Sequence, residues 1–434
     1  MSTDKPYTLH LGDCRDVLKT LPENSIDAVV TDPPYGLSFM GKGWDHGVPG
    51  VDFWREVYRV MKPGAHLIAY GGTRTVHRLT VGIEDAGFEI RDSIYWLYGS
   101  GFPKSHNVSK AIDSHLGLER EMIHTPMGKT GNKHAKGLGD DRPWMQNAAV
   151  NGYHEHPGNT PASPEAAQWD GWGTALKPAV EPAVLARKPL IGTVAQNVLQ
   201  YGTGGINIDG CRIPTEDDYV TGGGVQNMNN QVYGKGLGVG LPQNPAGRWP
   251  SNILLDEETA ELLDLQSGES VSSQQMMQPD PDTDDRGTWQ MRPLKNPGIR
   301  GHQDSGGASR FFYIAKASSS EREIGLQGGD SRANHHPTVK PLQLMQYMIR
   351  LITPPGGTVL DPFMGLGSTG ADAMLERMQF IGIDITPEYI EIAERRISYW
   401  RERSYTPIID APVNVPKSII KPVHSAQQTL DLED

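Results

Sequence analysis

The chain has 434 residues, a length that predicts two domains or one domain with a large insertion. Hydrophobic residues make up 37% and charged residues 21%, which excludes disorder throughout, while 50 Gly and 33 Pro indicate long irregular stretches. Cys14 and Cys211 are too few for a disulfide framework or a zinc site of their own, and we expect no bound metal. The sequence has no apolar run long enough to span a bilayer and does not open on a secretory signal, so we expect a cytoplasmic, reducing location without a membrane partner.

The net charge of −12 argues mildly against a nucleic-acid partner, but the charges are unevenly distributed. The segment from Arg286 to Arg350 contains ten Lys or Arg and four Asp or Glu, so it carries +6 and the remainder −18. A basic segment in an acidic chain predicts a phosphate-binding surface. On charge alone, a solvated basic face explains the segment equally well.

The first hundred residues alternate between strand and helix patterns. We predict strands at 7–12, 26–32, 66–72 and 88–99, the last as one strand or a strand pair, and helices at 13–21, 52–65 and 75–87. The second of these helices is expected to end at its Pro-Gly pair. This alternation is typical of a parallel sheet covered by helices.

Periodic patterns return near the carboxyl end of the chain. We predict helices at 341–352, 367–378 and 387–403, and strands at 358–363 and 379–385. The fold class is therefore α/β, with a doubly wound, mostly parallel, Rossmann-like sheet.

A long irregular region separates the two periodic parts. Only the segment near 179–190 reads as a strand, and a structureless stretch of this length is improbable inside one compact domain. We therefore predict a sheet domain divided into halves at 1–100 and 309–404, a loop-rich inserted module at 101–308 and a tail at 405–434.

A glycine-rich loop lies between the predicted strand and helix near residue 361. It contains Asp361, Gly365, Gly367 and Gly370, and Asp384 follows 23 residues after Asp361, at the end of the next strand. The glycines allow a close approach to a ligand, and an acid at that strand end accepts hydrogen bonds from ribose hydroxyls. The spacing also satisfies a nicotinamide-cofactor motif, but the carboxylate at position 361 would repel a pyrophosphate and attract an ammonium group. S-Adenosylmethionine is thus the favoured cofactor.

A second motif, Thr31-Asp32-Pro33-Pro34-Tyr35-Gly36, follows a buried strand. The prolines remove two N–H donors, which leaves the Asp32 carboxylate and the carbonyls of Pro33 and its neighbours as a row of acceptors. Acceptors of this kind suit a planar exocyclic amine, since hydrogen bonds from the amine free its lone pair for attack on a methyl group. Tyr35 supplies a face on which an extruded base can stack.

At this point the sequence resembles a known family, the S-adenosylmethionine-dependent amino-methyltransferases of DNA, in their circularly permuted β class. TDPPYG is similar to the catalytic motif, DPFMGLGSTG to the cofactor motif, HHPTVKPLQLM to a His-Pro-x-x-Lys-Pro element, LHLGDCRDVLKTLPENSID to the segment before the catalytic motif, and FIGIDI to the acidic strand end. These matches cover roughly residues 8–100 and 309–400.

The resemblance implies a permuted class I methyltransferase fold with a large, loop-rich recognition region, and double-stranded DNA as the substrate. It implies a catalytic group of Asp32, Pro33, Pro34 and Tyr35. For cofactor binding it implies Asp13, Pro337, Lys340, Asp361, Pro362, Phe363, Gly365, Gly367 and Asp384. Taken singly, Asp13 could be only a helix cap and Lys340 only a solvated lysine.

Several functions compete within this interpretation. Neither cysteine follows a proline, so C5 methylation of cytosine, which needs a nucleophilic cysteine, is disfavoured. An aspartate before Pro-Pro-Tyr favours N6 of adenine over N4 of cytosine, and RNA or protein methylation ranks lower. The resemblance is also compatible with two partners, a second copy of the chain in a homodimer and a separate cognate restriction nuclease. A non-catalytic alternative is a DNA-binding or regulatory module that binds the cofactor without turnover.

The inserted region is the remaining candidate for target recognition. Its Asn and Gln side chains can bond to adenine edges. Its five tryptophans, at 144, 169, 172, 249 and 289, are expected to form a small core rather than to wedge into DNA. Arg292, Lys295 and Arg300 are expected to hold phosphates.

Overall fold

The computed structural model describes residues 5–36, 47–99, 101, 105–126, 153–215, 247–271, 275–276, 299–300, 304–315 and 340–404. Its main sheet has nine strands. In chain order these are β1 (Tyr7–Leu11), β2 (Ile26–Thr31), β3 (Met61–Tyr70), β4 (Glu89–Leu97), β7 (Val180–Arg187), β8 (Ile253–Asp256), β13 (Tyr313–Ala315), β14 (Thr358–Asp361) and β15 (Gln379–Asp384). Across the sheet they lie in the order β1-β15-β14-β2-β3-β7-β4-β8-β13.

Within this sheet β7 alone runs antiparallel to its neighbours, β3 and β4. The other adjacent strands pair in parallel, so their carboxyl ends lie at one edge of the sheet. The amino end of β7 lies at that same edge. In parallel sheets this edge is where ligands bind.

Ten helices are described along the chain. They are α1 (Cys14–Thr20), α2 (Val51–Val60), α3 (Val76–Asp85), α4 (Val108–His115), α5 (Pro164–Gln168), α6 (Val194–Tyr201), α7 (Glu257–Ser267), α8 (Leu342–Ile352), α9 (Ser368–Leu375) and α10 (Pro387–Ser404). Among these described helices, none combines the length and the apolar character needed to cross a bilayer.

Helices cover both faces of the sheet, as the doubly wound prediction requires. Residues of α1, α2 and α3 pack with Val29 on one face, whereas α8, α9 and α10 pack with Ala28 and Val30 on the other. Successive residues of β2 therefore point to opposite cores, and all six are buried. This explains why the centre of a parallel strand, here Ala28-Val29-Val30, reads as an apolar run rather than as an alternating pattern. The predicted α/β fold is confirmed.

Short elements lie outside the main sheet. Three two-stranded ladders pair β5 (Met122–Pro126) with β6 (Tyr153–Pro157), β9 (Ser270–Val271) with β12 (Ser305–Gly306), and β10 (Gln275–Met276) with β11 (Ile299–Arg300). Single 3₁₀ turns cover Asp209–Cys211 and Ala308–Phe311. Most of these elements belong to the predicted insertion, which thus contains short helices and two-stranded ladders.

The predicted boundary between the second helix and the third strand is wrong, since the helix was expected to run to residue 65 and the strand to begin at residue 66. Helix α2 ends at Val60, before the Pro63-Gly64 pair, and β3 begins at Met61. The carbonyl of Val60 accepts a hydrogen bond from the Ser25 amide, so the end of the helix is already bonded to another segment. Proline also disfavours helix in the residues just before it.

The insertion adds more to the sheet than the single strand predicted for it. Besides β7, it supplies β8, which pairs in parallel with β4 and β13. Residues 253–256 are thus part of the sheet domain rather than of a separate module. This strand has four residues, of which only the first three are apolar, and such a run is too short to be assigned from periodicity alone.

The expected tryptophan core is also wrong for the three tryptophans that the structure describes. Trp169, Trp172 and Trp249 are 43%, 58% and 63% exposed. The region between β4 and β7 instead buries a polar group, in which Arg120 Nε donates to Asp113 Oδ2 at 2.7 Å. Trp144 and Trp289 lie outside the described residues, as do Arg292 and Lys295.

Candidate active site

The Asp-Pro-Pro-Tyr tetrapeptide leaves the carboxyl end of β2 and forms one wall of the site. The Tyr35 hydroxyl donates to Asp32 Oδ1 at 2.7 Å, and the Tyr35 carbonyl accepts from Thr75 Oγ1 at 2.7 Å. Pro33 is buried, whereas Asp32, Pro34 and Tyr35 are half-buried. Burial and the nearby charge of Asp32 hold the pKa of the Tyr35 hydroxyl well above its usual value. Tyr35 therefore remains a neutral donor to Asp32.

Lys340 lies against this tetrapeptide, just before α8. Its Nζ donates to Asp32 Oδ2 at 2.7 Å and to the Tyr35 hydroxyl at 3.1 Å. The side chain is only 8% exposed, so Lys340 is not a solvated lysine. Burial lowers the pKa of Lys340, but the carboxylates of Asp32 and Glu181 outweigh it and raise that pKa above the usual value. The residue is therefore a buried ammonium group.

Glu181 is the acidic residue that the sequence interpretation missed. It lies at the amino end of β7, and its Oε2 is 2.9 Å from Lys340 Nζ. Because β7 runs antiparallel, its first residues reach the edge at which β2 ends. An acid opening the predicted strand was visible in the sequence, but the direction of that strand was not.

The glycine-rich loop follows β14, the strand that pairs with β2. The Asp361 carboxylate is buried and accepts from Thr31 Oγ1 at 2.7 Å, from Thr369 Oγ1 at 2.6 Å and from the Phe363 amide at 3.0 Å. Burial raises the pKa of Asp361 to about 6, although these hydrogen bonds lower it in part. Since Thr31 directly precedes Asp32, this contact joins the loop to the tetrapeptide.

Asp384 supports the loop from the end of β15. Its Oδ2 accepts from the Gly365 amide at 2.9 Å, and its Oδ1 accepts from the Thr386 amide at 2.8 Å. The carboxylate is half-buried, which leaves part of it accessible. The loop is thus shaped by hydrogen bonds between its own backbone and two acids of neighbouring strands.

The glycines of the loop have different roles. A Cβ at Gly365 would meet no atom within 4 Å, so its backbone borders open space. A Cβ at Gly367 would lie 2.8 Å from Ala393 Cβ, and one at Gly370 would collide with Ile397 and Phe380. Gly367 and Gly370 therefore allow close packing of α9 on its neighbours, and Gly365 is the one of the three placed to approach a ligand.

The remaining predicted cofactor residues lie around the same edge or outside the described residues. Asp13 caps α1 by accepting from the Arg15 amide at 2.9 Å, and Arg15 also pairs with its carboxylate. Pro362 is buried, and the Phe363 ring lies 5.0 Å from the ring of Phe53. Pro337 lies outside the part of the chain that the structure describes. The structure thus brings the catalytic and cofactor motifs together, while their ligand contacts stay predictions.

Chemically, the part of this edge around the tetrapeptide combines the Asp32 and Glu181 carboxylates, the Lys340 ammonium and several aromatic rings. The Lys340 ammonium lies 4.9 Å from the ring centroid of Tyr70 and 5.6 Å from that of Tyr35. Such a site can accept hydrogen bonds from an amine, stack against a planar group and stabilise positive charge.

Relatives of known name match short parts of the chain. A type II methyltransferase of Streptococcus pneumoniae, M2.DpnII, is 45% identical over 65 residues, which are 15% of this chain and 24% of the relative. The DNA adenine methyltransferase YhdJ of Escherichia coli is 46% identical over 63 residues, which are 14% of this chain and 21% of the relative. The matched segments thus span a quarter or less of these two relatives.

Solved structures give a looser likeness. The M1.HpyAVI complex with SAM aligns over 90% of this chain and 99% of that protein, at 16% identity and a TM-score of 0.37. At that TM-score the likeness decides nothing about the site.

A family described as DNA methylase matches the chain in two blocks, residues 26–124 and 223–395. The first block contains the tetrapeptide and the second contains the glycine-rich loop, in the order that the sequence predicted. The two blocks together cover more than half of the chain, and the chain therefore belongs to the DNA methylase family.

Proposed function

We propose that the chain transfers a methyl group from S-adenosylmethionine to the N6 amino group of adenine in double-stranded DNA. The observation that carries this proposal is the hydrogen bond between Thr31 Oγ1 and Asp361 Oδ1, 2.7 Å long. It sets an acceptor-rich tetrapeptide directly beside a glycine-rich cofactor loop. Methyl transfer needs this juxtaposition, because donor and acceptor must meet in line.

The groups at the ends of β14 and β15 fit this cofactor. The half-buried Asp384 carboxylate is suited to the ribose hydroxyls, and the open space beside Gly365 lets a ligand approach the backbone. With its pKa at about 6, Asp361 is mostly ionised at neutral pH and attracts a cationic ligand. A dinucleotide pyrophosphate would be repelled there. We further expect the cofactor site to be lined by Asp13, Pro337, Lys340, Pro362, Phe363 and Gly367.

The tetrapeptide supplies acceptors for the target amine. A carboxylate offers about four lone-pair sites, and Asp32 uses one for Tyr35 and one for Lys340, so others are left for the amine. Hydrogen bonds from the amine to Asp32 and to the Pro33 carbonyl would free the nitrogen lone pair. Tyr35 would stack on a base that has left the DNA helix.

The bound cofactor supplies an electrophilic methyl group, and the methylated nitrogen then has to lose a proton. Lys340 is already an ammonium and Tyr35 keeps its own proton, so neither can accept it. Of the three bonded side chains, only the Asp32 carboxylate can. We therefore assign Asp32 both the orientation of the amine and the first acceptance of its proton.

Adenine is favoured over cytosine by the aspartate at the start of the tetrapeptide and by the name of YhdJ, a DNA adenine methyltransferase. C5 methylation is disfavoured because burial raises the pKa of both thiols, Cys14 and Cys211, to about 12. The type II name of M2.DpnII supports a cognate restriction nuclease as a partner.

The proposal is tested by incubating the full chain with unmodified double-stranded DNA and S-adenosylmethionine labelled in its methyl group. The DNA is then digested to nucleosides and the labelled one is identified by mass spectrometry. We expect N6-methyladenine. N4-methylcytosine would show that the target base is cytosine and would contradict the assignment to adenine. The absence of label in DNA, with label in RNA or protein offered in parallel or in no substrate at all, would overturn the proposal.

A further inference from the structure

We propose that Glu181 is a positioning residue for methyl transfer. It would hold the Lys340 ammonium, so that the charge of Asp32 is left for the amine that is methylated. This inference rests on the function proposed above. Glu181 lies outside the tetrapeptide, the glycine-rich loop and the His-Pro-x-x-Lys-Pro element, and the resemblance assigns it no role.

The contact itself is short and partly shielded from water. Glu181 Oε2 lies 2.9 Å from Lys340 Nζ, and the side chains are 24% and 8% exposed. Trp96 lies opposite Glu181 in the register between β4 and β7 and forms part of the aromatic surroundings. Ion pairs in such surroundings are screened much less than pairs on the surface.

The charges of Asp32, Lys340 and Glu181 explain what Glu181 would add to the site as the second partner of the ion pair. With Asp32 alone, the Lys340 ammonium would neutralise the carboxylate that has to receive the target amine. Glu181 supplies a second carboxylate to the same ammonium, so the group of three carries a net charge of −1. The amine becomes positive as it is methylated, and a negative site stabilises that charge whereas a neutral site does not.

Neighbouring tyrosine hydroxyls do not change the net charge of these three groups. Burial raises the pKa of the Tyr70 and Tyr98 hydroxyls, and the charge of Glu181 raises both further, so they stay neutral. In the described residues the Tyr70 hydroxyl is buried without a hydrogen-bond partner. The charge of this group of three is therefore set by Asp32, Glu181 and Lys340 and not by the hydroxyls around it, and the Asp361 carboxyl, which Thr31 joins to the tetrapeptide, adds to its negative side.

The test compares Glu181→Gln with Glu89→Gln. Glu89 pairs with Arg187 at 2.6 Å on the same two strands, β4 and β7, but at their other end, so it is a matched control for loss of an ion pair. We measure the single-turnover rate of methyl transfer to DNA, the affinity for S-adenosylmethionine and the thermal midpoint. Glu181→Gln should slow the rate by about tenfold to a hundredfold, as misplacement of a reacting group does. The rate of Glu89→Gln should stay within about twofold of wild type.

Two further readouts separate positioning from general damage. Cofactor affinity should fall much less than the rate in Glu181→Gln, since Glu181 acts through Lys340 and no contact in the described residues joins it to the cofactor loop. Glu181→Asp keeps the charge with a shorter reach, so it should recover part of the rate. It also serves as the test if Glu181→Gln does not fold. A wild-type rate in Glu181→Gln, or a rate loss matched by Glu89→Gln, would overturn the inference.

The wild-type measurement distinguishes this failure from failure of the proposed function. If wild type transfers methyl groups to DNA and Glu181→Gln does so equally fast, only the role of Glu181 is lost. If wild type itself transfers none, the proposed function fails first.

Discussion

Two parts of the site are built in different ways. The cofactor loop, residues 361–370, is held mainly by contacts within one stretch of chain, such as the bond between the Gly365 amide and Asp384, 19 residues apart. The catalytic cluster, which we define as Asp32, Tyr35, Glu181 and Lys340, joins three distant segments, and Lys340 is 308 residues from Asp32. The loop is therefore a local structure, whereas the cluster exists only once the sheet has its full strand order.

The two parts also use charge differently. The loop buries one carboxylate, Asp361, and satisfies it with hydroxyl and amide donors. The cluster balances two carboxylates against one ammonium. We expect the cluster to be sensitive to loss of one partner and the loop to be sensitive to pH.

Lys340→Met should have the largest effect on stability. It leaves two carboxylates close together without their ammonium, and breaking a buried pair in this way costs about 3–5 kcal/mol. Because Asp32 and Glu181 remain about one quarter exposed, we expect the lower part of that range. Urea unfolding measures the change. The surface pair of Lys19 with Asp16 offers the control Lys19→Met, which should shift the free energy of unfolding by less than about 1 kcal/mol. Equal losses in both variants would contradict the role of the cluster.

Asp361→Asn should change how stability depends on pH. Burial raises the pKa of Asp361 to about 6, so the folded state binds this proton more tightly than the unfolded chain does. The free energy of unfolding should then fall as pH rises from about 4 to about 6, by about 2–3 kcal/mol from this group, and stay level above that range. Asn does not titrate, so the difference between wild type and Asp361→Asn should change by this amount. A difference that is constant across the range would show that Asp361 is not perturbed.

Asp384→Ala should weaken the cofactor loop and leave the catalytic cluster intact. It removes the acceptor for the Gly365 amide and the expected acceptor for the ribose, and hydrogen bonds to a charged group contribute about 1.5–3 kcal/mol. We expect the dissociation constant for S-adenosylmethionine to rise by about tenfold to a hundredfold. The methyl-transfer rate at saturating cofactor should change much less. If the rate at saturation falls as far as the affinity, the two parts are not separable.

The same contrast explains what could be predicted from the sequence. Asp361, Gly365 and Asp384 lie within one strand–loop–helix–strand unit. Their spacing in the sequence was therefore enough to predict that they lie close together. The contact of Lys340 with Asp32 was not predicted, and Glu181 was missed altogether, because both depend on which strands are neighbours and in which direction β7 runs. Gly370 matched a ligand-binding spacing, yet it packs against Ile397, a residue whose proximity the sequence does not show.

The predicted end of α2 was wrong, and β8 was not predicted, for a related reason. The end of α2 is determined by contacts from Asn24 and Ser25, and the strand β8 is recognisable only by its pairing with β4 and β13. In both cases tertiary hydrogen bonds decided what the local pattern left ambiguous. The assignment of residues 101–308 to target recognition stays a prediction.

The central claim is that the cluster performs the chemistry and the loop holds the cofactor, and Asp32→Ala tests it most directly. The measurement is made on one preparation of this variant, as calorimetric affinity for S-adenosylmethionine and as the single-turnover rate of methyl transfer to DNA. We predict an affinity within about threefold of wild type and a rate lower by about two to three orders of magnitude, as for loss of one positioned polar group. A near-normal rate would contradict the assignment of Asp32, and a parallel loss of affinity and rate would contradict the separation of the two parts.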